Sequence, residues 1–104
     1  MDHYKIIVSE KYHNDLRNII SYVSGDLDSP YTAEHLLDKI EASLEGLSTF
    51  PYRFLLINDP YLRYRGFRKC IVKRYIIFYQ IIEDEKLVYI HRILHSRQSL
   101  LNII

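Results

Sequence analysis

The amino-acid sequence predicts an α+β fold: an N-terminal strand, a two-helix hairpin, then antiparallel strands forming one sheet with both helices on one face. Three observations lead there. Apolar residues recur at helical spacing through the first half of the chain, the apolar period falls to 2 after residue 66, and the two helical stretches follow one another instead of alternating with strands. With 104 residues, 48% of them hydrophobic, the chain is expected to form a single domain over residues 1–104.

Residues 3–8, HYKIIV, form a short β-branched run that ends at Ser9, a residue able to cap a helix. Behind it Tyr12, Leu16, Ile19, Ile20 and Val23 fall on one helical face. Gly25 and the polar run Asp26-Leu27-Asp28 end that helix, and Ser29-Pro30 opens a second with a cap residue and a proline at its first position. Ala33, Leu36, Leu37, Ile40, Leu44 and Leu47 form its apolar stripe, while Glu34, Asp38, Glu41 and Glu45 share a separate face that reads as solvated. This helix is expected to stop near Gly46. Residues 48–60 hold two prolines and no period, which predicts a loop, with Phe50 and the run Phe54 to Ile57 partly buried. Residues 67–73 and 75–82 then read as strands, the second apolar enough for the middle of a sheet. Glu83 to Lys86 is a polar hairpin connection, and residues 87–94 return antiparallel. The apolar end, residues 99–104, is expected to pack on the fold or on a partner.

Composition excludes several classes. The single cysteine, Cys70, allows no internal disulfide framework and no zinc cluster of the usual kind, and its apolar strand context reads as a buried structural thiol. No segment approaches the roughly 20 apolar residues needed to cross a bilayer, so a cytoplasmic protein without membrane contact is expected. The three glycines, Gly25, Gly46 and Gly66, lie too far apart for a phosphate-binding loop. No metal or cofactor is expected.

The net charge of +1 conceals an asymmetry. Residues 1–51 carry 4 Lys/Arg against 9 Asp/Glu, and residues 52–104 carry 10 against 4. Either the halves neutralise each other across the fold, or the second half meets a polyanion or an acidic partner. The densest basic stretch is RYRGFRKCIVKR, residues 63–74. In it Arg63, Arg65, Arg68, Lys69, Lys73 and Arg74 stand among Tyr61, Tyr64 and Tyr75, a mixture suited to phosphates and to stacking on bases. An edge strand protected by charge reads the same way. Near the end, YIHRILHSRQSL brings together His91, Arg92, His95 and Arg97, which suit acid–base chemistry and stabilisation of phosphoryl charge. Strand alternation puts His91 and His95 on one face and Arg92 on the other unless the strand bulges. His91 reads as structural.

The ordered set IIVSE, DLRNIISYV, Ala33 with Leu36 to Leu47 before Phe50-Pro51, GFR, YIIFY and IHRILHSRQ resembles the ParE/RelE superfamily, the toxins of type II toxin–antitoxin pairs and plasmid stabilisation modules. The resemblance implies a growth-inhibiting toxin held inactive by a cognate antitoxin whose C-terminal segment wraps the sheet and helices, with any oligomer built through that antitoxin. RelE-like members cut mRNA on the ribosome; ParE-like members poison DNA gyrase. Tyr79-Gln80 resembles the nuclease branch, but Ile76 stands where that branch usually carries an arginine. His95 and Arg97 match residues used by some nuclease members. The two-helix hairpin, Phe50-Pro51 and Arg92 to Arg97 look more like the ParE branch, although Gln98 replaces its usual Asp. The expectation is therefore a ParE-like binding inhibitor of DNA gyrase. It would contact its target through Arg63, Arg65, Arg68, Lys69, Lys73, Arg74 and Arg92. The alternatives are a ribosome-dependent mRNA endoribonuclease using His95 and Arg97, with Arg68 and Arg92 as further phosphate contacts, and a degenerate protein that only binds antitoxin.

Overall fold

The computed structural model of the chain describes residues 3–26 and 29–98. Strand β1 (Lys5–Val8) leads into helix α1 (Glu10–Ser21), and α2 (Pro30–Thr49) follows. A short helix α3 (Pro60–Tyr64) precedes β2 (Arg68–Val72), β3 (Tyr75–Ile82) and β4 (Leu87–His95). The four strands form one sheet in the order β1-β4-β3-β2, with β1 parallel to β4 and the other pairs antiparallel. The expected α+β architecture is present, and β3 lies inside the sheet as its apolar sequence requires.

Ser9 does two jobs at the start of α1. Its Oγ accepts the Tyr12 N–H at 2.9 Å, capping the helix, and its hydroxyl donates to the His91 carbonyl at 2.6 Å, tying the helix to β4. Helix α1 runs into a π-helical turn over Tyr22–Asp26. Helix α2 opens on Pro30 and continues to Thr49, beyond Gly46, where the helix was expected to stop. The buried residues of its stripe, Ala33, Leu36, Ile40 and Leu47, meet Tyr12 and Val23 and the sheet residues Cys70, Ile77, Tyr79, Val88, Ile90 and Ile93 in one core. Glu34, Asp38, Glu41 and Glu45 are all exposed, so the acidic row is a solvated face.

Three expectations are corrected. Residues 48–60 are not a plain loop: a 3₁₀ turn spans Pro51–Arg53, and Phe50 and Leu55 are exposed where partial burial was expected. Helix α3 is new. Asp59 Oδ1 accepts the Leu62 N–H at 3.0 Å, and Pro60 fills the first helical position. Gly66, at φ +80°, closes the helix with two bonds, Gly66 N–H to the Arg63 carbonyl and Phe67 N–H to the Leu62 carbonyl, each 3.0 Å. This is a Schellman cap, and its characteristic apolar contact is present as Leu62 and Phe67 pack together. With Phe78 and Leu94 they form a second core on the sheet face opposite α1 and α2.

The third correction concerns β4. Tyr79 pairs with Ile90 and Phe78 with Arg92, so His91 is an extra residue, a β-bulge. Val88, Ile90 and Ile93 all reach the main core across it, whereas Leu94 joins the second. The alternation is broken, and His91 and His95 do not share a face: His91 lies against Phe67 of the second core, and His95 lies beside Tyr75, which packs on the main core. Residues 99–104, expected to pack, lie outside the described residues.

Candidate functional site

The basic run at residues 63–74 is contiguous in sequence but divided in space. Arg63 lies in the last turn of α3 and Arg65 caps its end, Arg68 begins β2, Lys69 is exposed on that strand, and Lys73 and Arg74 make the two-residue turn into β3. Five strand residues at about 3.3 Å each put that turn well over 10 Å beyond Arg68. Lys73 adopts φ +56°, the left-handed region.

The arginines differ in how they are held. Arg68 is half-buried; its Nη1 donates to the Phe54 carbonyl at 2.6 Å and its guanidinium lies 5.0 Å from the Tyr52 ring centre. Arg65 donates to Tyr61 Oη at 3.3 Å and lies over the Tyr61 and Phe67 rings. Arg63, Arg65, Lys69, Lys73 and Arg74 are exposed. Arg92 is engaged inside the molecule: its Nε and Nη2 each donate to Asp15 at 2.7 Å, and both side chains are only about one-seventh exposed. Asp15 Oδ2 also accepts the Ile93 N–H at 3.2 Å. Beyond the last β1–β4 pairing, Val8 with Ile90, helix α1 thus supplies the partners that a longer β1 would have supplied.

His95 and Arg97 stand at the exit of β4, beside the β2–β3 turn, where the Ser96 N–H donates to the Arg74 carbonyl at 2.8 Å. His95 Nδ1 accepts the Arg97 N–H at 3.1 Å, so in the neutral ring the proton sits on Nε2. Lys73, Arg74, His95 and Arg97 therefore converge on one corner. The other residues of a catalytic reading are elsewhere. Tyr79 is fully buried and donates to the Pro51 carbonyl at 2.7 Å; burial pushes its hydroxyl pKa far up. Ile76 packs on the second core. Cys70 is buried and its thiol pKa is raised by that burial. Among the described residues no group of three His, Cys, Asp or Glu could hold a metal ion, and no helix is long and apolar enough to cross a membrane.

Sequence reasoning missed the role of Gln80. Its Nε2 donates to the Arg65 carbonyl at 2.6 Å, and its Oε1 lies 2.6 Å from His91 Nε2. Burial and the nearby Arg65 charge lower the His91 pKa to about 4, so the ring is neutral near pH 7 and donates to Gln80. No local signal marks this link, because the bulge that aims His91 at Gln80 depends on pairing between two strands.

Similar architectures occur in solved toxin–antitoxin complexes, which defines the class of the fold. A chain of the RelBE2 toxin–antitoxin complex from Mycobacterium tuberculosis matches with a TM-score of 0.65 at 20% identity, covering 91% of this chain and 93% of that one. A chain of the chromosomal ParDE system from P. aeruginosa matches with a TM-score of 0.71 at 16% identity, covering 89% and 96%. A comparison with curated proteins finds no match. The family model described as "ParE toxin of type II toxin-antitoxin system, parDE" matches residues 6–100, and the chain belongs to that family.

Proposed function

We propose that this toxin inhibits growth by a ParE-like action on DNA gyrase in the cytoplasm and is neutralised by a cognate antitoxin. One observation carries the choice over RNA cleavage: the residues that would complete a nuclease centre are built into the fold. Ile76 and Tyr79 lie in the two cores and Arg92 is paired with Asp15, so none of these three joins the corner where His95 and Arg97 stand. The exposed cations of the 63–74 run remain for binding a target. For the antitoxin, the outer edge of β2 beyond its Leu56–Arg68 bridge offers a sheet edge and Ile71, 63% exposed, next to a shallow cleft between β2 and α2.

Induction in a bacterial host tests this reading. Gyrase poisoning predicts filamentation, a DNA-damage response and gyrase-linked DNA breaks in purified reactions; prompt loss of translation with codon-phased mRNA breaks overturns it. The ribonuclease alternative draws on the corner of Lys73, Arg74, His95 and Arg97. Under the gyrase reading His95→Ala stays toxic. Absence of toxicity in the unaltered chain favours a degenerate antitoxin-binding protein.

A further inference from the structure

The tip of α3 combines exposed rings with an ordered arginine. Tyr61 and Tyr64 are 57% and 91% exposed, and Arg63 and Arg65 stand beside them. Three layers hold Arg65. Its guanidinium lies 5.6 Å from the Tyr61 ring centre and 5.4 Å from that of Phe67. Its carbonyl accepts from Gln80, and Gln80 accepts from His91. The His91 ring is wedged between Phe67 and Tyr89, with ring centres 4.7 and 4.6 Å away.

Ordering a surface arginine costs up to about 2 kcal/mol of rotamer freedom. The fold does not require it, since Leu62 and Phe67 already anchor α3 to the second core. No acidic residue occurs between Asp59 and Glu83, and Asp59 is occupied as the helix cap. The tip is therefore cationic, ring-rich and preorganised. A planar guanidinium suits phosphate, and an exposed phenol ring suits the face of a base, which only an unpaired strand presents.

We propose that Tyr61, Arg63, Tyr64 and Arg65 bind an unpaired nucleic-acid strand, bases on the rings and phosphates on the arginines, with Gln80 as a positioning residue. The inference rests on the function proposed above in taking this surface to face a nucleic-acid-containing target. DNA held open by gyrase and mRNA held on the ribosome share this chemistry.

The test is fluorescence anisotropy of the full chain with labelled oligo(dT), oligo(rU) and a duplex, each about 12 nucleotides long to match the usual site size. Both single strands are expected to bind more tightly than the duplex, and the tighter of the two identifies DNA or RNA as the source. Tyr64→Ala, which removes a ring lying almost wholly in solvent, should weaken binding roughly 5- to 150-fold, and Tyr64→Phe should restore it. Arg63→Ala should reduce the slope of log affinity against log salt by about 0.7. Gln80→Ala should weaken binding several-fold while leaving that slope unchanged. Lys11→Ala, on exposed α1 surface, is the control. Equal affinity for duplex, no binding, or equal losses in Tyr64→Ala and Lys11→Ala overturns the proposal. Gyrase is absent from the assay, so this proposal and the gyrase reading fail separately.

Discussion

Removing the carboxylate of Asp15 should destabilise the fold more than any other single surface-proximal change. Asp15→Ala deletes two charge-assisted bonds from Arg92 and the bond from the Ile93 N–H. It leaves a guanidinium only 14% exposed without a counter-charge, and a strand N–H without an acceptor. Breaking a buried pair on one side costs about 3–5 kcal/mol; the residual solvent contact favours the lower end, about 3 kcal/mol. At about 4–8 °C per kcal/mol for a domain of this size, the melting temperature should fall by roughly 12–24 °C. Arg92→Ala should cost less, about 2 kcal/mol, because Asp15 keeps its bond from Ile93. Urea denaturation followed by circular dichroism, run on both single variants and the double, measures the pair directly. The double variant should be more stable than additivity allows, with a coupling of about 1.5 kcal/mol. A loss under about 1 kcal/mol for Asp15→Ala, or strict additivity, refutes the reasoning. An Arg92→Ala protein of normal stability but no toxicity would return Arg92 to the target-binding surface.

Four further outcomes are expected. Gly66→Ala forces a β-carbon onto a residue at φ +80° and should cost about 1–2 kcal/mol in the same denaturation assay. Lys73→Gly relieves the left-handed strain of a residue at φ +56° in the β2–β3 turn and should raise stability by up to about 1 kcal/mol. Tyr79→Phe removes the bond from this buried hydroxyl to the Pro51 carbonyl, and should cost about 1–2 kcal/mol while the folded protein stays toxic; lost toxicity would restore a chemical role to this hydroxyl. Acid should weaken the fold in two windows. The His91 pKa is lowered to about 4 in the folded state, so its contribution is complete above the unfolded value near 6.5 and is lost as pH falls towards 4. Glu83, bonded by Lys86, Tyr52 and Tyr4, has its pKa lowered to about 2, so its contribution is lost between about pH 4.3 and 2. Urea midpoints across pH check both windows, and His91→Gln should flatten the upper one.

The two long helices were legible because their evidence is local. Ser9 and Pro30 mark the starts, and the apolar steps through Tyr12 to Val23 and Ala33 to Leu47 mark the buried faces. Helix α3 also carried a local signature, Asp59-Pro60 before it and Gly66 after it, which the basic composition of the stretch obscured. Of the candidate site, the exposed cations at Arg63, Lys69, Lys73 and Arg74 followed from composition. The engagement of Arg92 and Arg68 did not, since Asp15 lies 77 residues from Arg92 and Phe54 lies 14 from Arg68. Sequence spacing says nothing about which carboxylate or carbonyl a folded chain brings to an arginine.

The sequence by itself determined the α+β class, the order of the two long helices and three final strands, the buried stripes and the basic second half. Period, capping residues and charge are properties of neighbours along the chain, and they act before any distant contact forms. The tertiary structure decided the rest: β1 beside β4, the division of the basic run by β2, and the bulge at His91. That bulge turns His91 towards Gln80 and separates it from His95. It arises from register between strands, where Asp15 of α1, the cap residue Ser9 and Gln80 of β3 satisfy the Ile93 N–H, the His91 carbonyl and the His91 ring around the extra residue.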